Sequence, residues 1–478
     1  MPVNNKSAMY AEREASWNKI RVITAGEEAV KDAGLEYLPK LTGQTTLEYA
    51  AYKDRGTFFN ATDRTVKGLT GAVMRRDPAV EVPKPMEPFL EDCTLSGLDF
   101  TSVVRTAVSN IIGYGYYGIL VDKDVKESEF PYMAMYTAFD ILNYRVTKIG
   151  DQNVLTLLVL REEISAVDSK DSFSISTVEQ IRVLSLEEGF LVVRVYQKIG
   201  QKGKEDWAQV EVSSGVMDAM PAVRGNRLTY IPFVFFGSVN NEPAPPKPPL
   251  LDLVNLNIKH WRVTVDFYHG LHWCALPTPY FFGVEKKKGE IFTIGPSKAL
   301  TSSNVNAKAG ILEFSGQGLE TVSKALDRLE EQMAIMGARL LEHKKKGVEA
   351  AEALHIRSAD ESATLITIVG SAENGFVNVL KFAALWMGRD AEEIMVELNK
   401  DFIASKLNPQ EITSLLQAVQ AGKISQDTFL WNLKMGEILP KDRTIEEEKD
   451  MLAAEGVDLF EEEEEEEEVV EKEEDEEV

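Results

Sequence analysis

Three residues near the middle of the chain have the types and spacing for metal chemistry: His269, His272 and Cys274, in the run HGLHWC. Two histidines three apart share one face of a helix, and imidazole and thiolate are both zinc ligands. A hydrolytic zinc site also needs an acid or base beside its water, and no Asp or Glu adjoins this run. The cluster therefore reads first as a packed helix terminus, with a metal-dependent enzyme as the rival. Phosphate chemistry has less to stand on. No G-x-x-x-x-G-K-[ST] loop is present, and GYGYYG at 113–118 follows a helix and precedes a strand. That order is the reverse of the one that sets a phosphate on a helix N-terminus, so the run reads as a tight turn with packed tyrosines. There is no G-x-S-x-G nucleophile elbow. Two lysine triplets remain, Lys286–Lys288 and Lys344–Lys346. On an isolated chain each is a solvated turn, and a functional role requires several copies around one axis.

Composition narrows the classes further. A chain of 478 residues exceeds the size at which one core keeps growing, and 44% apolar with 27% charged residues is a globular balance. The first twenty residues lack an apolar signal region, and no run is long enough to span a bilayer. With Cys93 and Cys274 alone there is no disulfide framework, which fits a reducing compartment such as cytoplasm. The net charge is −25, and residues 461–478 supply about half of it with fourteen acids and one lysine. Such a block repels itself and reads as a disordered acidic tail. An acidic chain is also a poor sequence reader of DNA, because affinity there comes from neutralising phosphates.

The elements that must position these residues follow from periodicity. Helical patterns lie at 44–75 and 98–117, the second carrying Val103, Val104, Ala107, Ile111 and Ile112 on one face. Strand-like runs follow at 118–122, 154–162, 179–186 and 190–197, which makes an α+β block with a mainly antiparallel sheet. Five prolines in 241–250 forbid helix and central strand and mark a boundary. A helical segment then runs to Pro277 and Pro279, and a small strand-and-turn lobe fills 278–316, with Gly289 at a hairpin turn. From Leu319 to His343 the residues Val322, Leu326, Leu329, Met333, Met336 and Leu340 form a heptad seam on a helix roughly 37 Å long. On a lone chain this seam is expected to leave Leu326, Met333 and Leu340 in water, so it predicts packing between neighbouring subunits. A charged connector leads to a helix at 361–388 with Gly370 and Gly375 inside it, where a kink or a close crossing is expected. Short helices occupy 408–456, with Pro409 and Ser425 as start signals.

Taken in order, several segments resemble the portal proteins of tailed bacteriophages. They are YLPKLTG with AAYKDRGTFFNATDRTVKGLTGAVMRRDP, NIIGYGYYGILVDKD, YTAFDILNYR, LTYIPFVFFGSVN, and PPLLDLVNLNIKHWRVTVDFYHGLHWCALPTPYFFG. GLETVSKALDRLEEQMAIMGARLLE, ESATLITIVGSAENGFVNVLKFAALWMG and AGKISQDTFLWNLKMGEILP complete the series, which runs from about 35 to 445. The resemblance implies an α/β wing at 35–249 after an N-terminal arm at 1–34, a two-helix stem at 250–276 and 317–343, and a small α/β clip at 277–316. It further implies a tunnel loop at 344–358, a long bent wing helix at 359–388, and a helical crown at 389–460 before the tail. On this likeness the chain is a non-enzymatic virion component at one capsid vertex, assembled in the host cytoplasm as a ring of about twelve copies. No cofactor is implied. The implied partners are double-stranded DNA passing through without sequence reading, the terminase large subunit, a head-to-tail adaptor, and the major capsid and scaffold proteins. Lys344, Lys345 and Lys346 would then face DNA, and Lys286, Lys287 and Lys288 the docking partners.

Overall fold

Ser7, Thr45, Asn60 and Asp99 each stand just before a helix, and each side-chain oxygen accepts from the backbone N–H three residues on. These caps open helices at the positions where the chain must turn in from an extended run. The computed structural model describes residues 3–123, 130–167, 175–200, 206–212, 215–276, 278–283, 304–312, 316–338, 351–389, 391, 393–400, 402, 409–435, 438–439 and 443–454. It divides into two compact units, Met1–Lys400 and Asp401–Val478.

In the first unit, Ser7 opens α1 (Ala8–Ala25), and Gly26 at φ 99° turns the chain into α2 (Glu27–Ala33). Thr45 and Glu48 close a capping box on α3 (Thr46–Arg55), and Asn60 opens α4 (Ala61–Val73). A short strand β1 (Ala79–Glu81) and helix α5 (Glu87–Glu91) lead to α6 (Phe100–Tyr114). The apolar face expected of α6 is buried, and the helix ends at Gly115 in the left-handed region, φ 76°. A side chain there would also stand 3.2 Å from the Pro248 backbone, so the proline-rich boundary segment lies directly over this turn.

The strands that follow are β2 (Tyr116–Asp122), β3 (Tyr132–Thr137), β4 (Ile141–Ile149), β5 (Gln152–Val167), β6 (Ile175–Glu187), β7 (Phe190–Ile199), β8 (Asp206–Val210), β9 (Ala222–Val223), β10 (Asn226–Arg227) and β11 (Phe233–Gly237). β4 to β8 make a five-stranded antiparallel meander in chain order, while β11-β2-β3 form a separate antiparallel sheet. Every residue of β11, and all of β2 except Asp122, is buried, which explains their unbroken apolar runs. The Arg182 guanidinium on β6 donates to the Asp122 carboxylate at 2.8 Å and so pins the two sheets together.

Past the prolines come α7 (Leu251–Ala275), strands β12 (Thr278–Phe282) and β13 (Lys308–Leu312), then α8 (Gln317–Met333), α9 (Ala351–Trp386) and β14 (Met395–Glu397). α9 packs across β2 and β11, and Gly375 permits it: a β-carbon there would lie 2.3 Å from the Phe236 ring. Gly370 has open space around it, so the close crossing belongs to Gly375 alone of the pair.

The structure corrects several expectations. The segment read as an N-terminal arm is built into the body, where Trp17, Ile20 and Ile23 on α1 are fully buried. The expected continuous helix to His343 holds regular α geometry only to Met333 and continues as a π-turn over Ala334–Ala338. α9 begins at Ala351, inside the segment read as a tunnel loop, since the run AEALHIRSADE is helix-forming by propensity. β12 pairs with β13, Thr278 opposite Leu312, while the hairpin expected at Gly289 lies outside the described residues. The crown boundary also moves, because β14 pairs with β1 and Leu398 N–H donates to Glu373, which ties 395–398 into the first unit.

The second unit holds α10 (Pro409–Gln420), α11 (Gln426–Met435) and α12 (Ile445–Ala454). Ser425 caps α11 through the Thr428 N–H, and Thr444 with Glu447 closes a capping box on α12. Val419 and Leu430 are its buried apolar residues among those described. The acidic tail at 461–478 lies outside the described residues.

Candidate functional site

α7 is two things along its length. Its inner half carries Val254, Ile258, Trp261 and Val265 into a core shared with Ile20 and Ile23 of α1 and Tyr52 of α3. Asn257 fastens this half: its carbonyl oxygen accepts from the Thr62 hydroxyl at 3.0 Å and the Thr62 N–H at 3.2 Å, and its amide donates to the Phe59 carbonyl at 2.8 Å. Both groups of a buried amide are thereby satisfied, which fixes where α7 leaves the body. From Asp266 outward the helix becomes progressively exposed.

α8 lies along α7 of the same chain. Leu329 and Met333 are buried, Met333 to 1%, while Val322 and Leu326 are half-buried. Glu330 reaches the His260 Nε2 at 3.2 Å, and the Leu319 side chain fills the space at Gly270. The seam predicted to await a neighbouring subunit is thus closed internally at Leu329 and Met333, at the end of α8 where Glu330 meets His260 on the inner half of α7. Met336 is 47% exposed, since the π-turn shifts it out of phase with the stripe. Leu340, both lysine triplets and the rest of 339–350 lie outside the described residues.

What the pairing leaves bare is a surface that periodicity did not indicate. Tyr268, Leu271 and Trp273 on outer α7 and Leu276 just past its end are exposed, and so are Tyr280, Phe282 and Leu312 on the two-stranded lobe that follows. Trp273 is 53% and Phe282 64% exposed. The register puts Tyr280, Phe282 and Leu312 on one face of the ribbon, with the Tyr280 and Phe282 rings 5.3 Å apart. A lone two-stranded ribbon is marginal in water, and large aromatic side chains gathered at its surface are the usual material of an interface. The one signal of it in the sequence is the density of aromatics between His269 and Phe282.

The histidine cluster is built differently from a zinc site. Arg55 at the end of α3 directs Nη1 to His269 Nδ1 at 3.5 Å and Nη2 to His272 Nε2 at 3.2 Å. A guanidinium already occupies the position a metal ion would take, and its charge opposes a second cation. Cys274 lies about 200° around the helix from His272 and stands beside Gly316, on the side facing away from the imidazoles. Among the described residues no group of three His, Cys, Asp or Glu side chains could hold a metal. Burial, then Arg55 and His272, hold the His269 ring below its ordinary pKa.

His260 is buried between α7 and α8, and burial lowers its pKa against the opposing pull of Glu330. A histidine lowered in the folded state contributes stability above about pH 6.5 that is lost as the pH falls toward its folded value. Acidification from about pH 7 to about pH 5 is therefore expected to lower the unfolding midpoint, and His260→Gln to flatten that dependence. Thermal denaturation of both proteins across this range measures it; equal slopes would remove the assignment.

Comparison with known proteins gives two kinds of match. The model of a domain of unknown function, DUF4055, matches residues 249–387, from just before α7 to just after α9. No curated protein matches the chain. Among solved structures, a chain of the virion of a native gene transfer agent particle is similar over 83% of this chain and 96% of its own, at 10% identity and a TM-score of 0.42. A chain from the neck of the native particle, computed with C12 symmetry, covers 78% and 89% at 10% identity and 0.39. A chain from the neck of the empty particle, computed with C6 symmetry, covers 84% and 95% at 12% identity and 0.40.

Proposed function

We propose that the chain is a portal subunit, one of about twelve copies that close a ring at a capsid vertex and conduct DNA. The observation that carries this reading is the helix pair α7–α8, anchored by the inner half of α7 in the α/β body and carrying an uncovered aromatic surface on its outer half and lobe. A monomer gains nothing from such a surface, whereas a ring of identical copies covers it at every joint. The ordered series of segments resembling tailed-phage portal proteins supports the same reading.

The electrostatics suit a conduit. DNA carries one negative charge per about 1.7 Å of axis, so a wall built from chains of net charge −25 repels the duplex and keeps it sliding. Rings of Lys344, Lys345 and Lys346 centre it without gripping, and Lys286, Lys287 and Lys288 serve the lobe that meets the packaging terminase and later the adaptor. Replacing Lys344–Lys346 with alanine is expected to reduce genome packaging or retention several-fold, scored as DNA content per particle. Full DNA content in that variant would strip the triplet of its role.

Mass measurement and negative-stain imaging of the purified full-length protein test the reading as a whole. Annular particles of about twelve subunits are expected. A protein that stays monomeric at every concentration and salt would overturn it.

A further inference from the structure

The cluster where α3 meets α7 has more donors than acceptors. Arg55 is half-buried, and among the described residues no carboxylate lies within ion-pair distance of it. Its nearest polar neighbours are two imidazoles, His269 at 3.5 Å and His272 at 3.2 Å. The Trp273 indole N–H donates to the other nitrogen of His269 at 3.2 Å. A neutral imidazole accepts at one nitrogen only, so His269 faces donors on both sides while it can satisfy one of them. Asp266, one turn earlier on α7, accepts from the Tyr52 hydroxyl at 2.5 Å and makes no ion pair with Arg55. Guanidinium, imidazole and indole N–H groups that outnumber the acceptors among them are the complement of a tetrahedral oxyanion, whose several oxygens accept from all of them.

We infer that Arg55, His269 and His272 form a binding site for a phosphate-type oxyanion at the base of the projecting half of α7. The site follows from these contacts alone and does not depend on ring formation. Its anion is either free inorganic phosphate or a phosphate of a nucleic-acid backbone, since both present the same oxygens. The fork of Arg55 supplies the bidentate contact, and the rings of His269 and His272 turn their N–H groups inward once an acceptor is present.

Titration calorimetry of the full-length protein with sulfate, whose charge is constant near neutral pH, tests this directly. Saturable binding at one site per chain is expected, weakened about tenfold or more in Arg55→Gln and several-fold in His272→Phe, which keeps the ring packing and removes its nitrogens. Displacement of sulfate by a short DNA duplex would support the backbone source, and displacement by inorganic phosphate alone the free anion. Absence of saturable sulfate binding, or equal binding in both variants, would overturn the site.

Discussion

Purified protein carrying Trp273→Glu and Phe282→Glu together is expected to remain monomeric under conditions where the parent protein forms rings. Both side chains are more than half exposed in the single chain, so the substitutions leave its core untouched. Each nevertheless offers roughly 100 Å² of apolar surface to a neighbour. At about 25 cal/mol per Å² that is about 2.5 kcal/mol per side chain, close to a hundredfold in the association constant of each joint. A ring multiplies the loss, because every joint loses it at once. Two new carboxylates on an already acidic chain add repulsion. Sedimentation velocity reads the outcome, and an unchanged unfolding midpoint shows that the fold survives. Rings of normal stability from this variant would mean that outer α7 and its lobe face solvent in the assembly.

Trp17→Ala has the second large effect, and it falls on folding. The indole is fully buried, edge-on to Tyr10 at 5.3 Å and stacked over Tyr116 at 6.3 Å, with Phe139 against its side. Its N–H donates to the Tyr114 carbonyl at 3.1 Å, so one side chain joins α1 to the end of α6 and the start of β2. Truncation is expected to cost about 3–5 kcal/mol, a large share of the stability of an ordinary domain. Trp17→Phe keeps most of the packing and strands the Tyr114 carbonyl, for about 1–3 kcal/mol. Denaturant unfolding orders the three proteins as parent, Phe, Ala. An alanine variant that unfolds at the parent midpoint would mean that α1 is not part of the cooperative core.

Local patterns are legible in the amino-acid sequence itself. The proline run at 241–250, the buried face of α6, the tight turn of GYGYYG after it, and the start signals Pro409 and Ser425 all follow from backbone geometry within a few residues. Two histidines on one face of α7 follow in the same way, whereas Cys274, grouped with them by spacing, is turned away toward Gly316.

Tertiary structure decided the partners. A heptad stripe states that a helix has an apolar side and is silent about which helix covers it; here α7 of the same chain does, at Leu329 and Met333. Arg55 reaches His269 from 214 residues earlier in the chain, and no spacing rule connects positions that far apart. α1 is weakly patterned on its own, yet Trp17 is buried because strands and helices from distant segments close around it. Periodicity is written into each segment by its own hydrogen bonds, whereas the choice among equally apolar surfaces is made only when the whole chain packs.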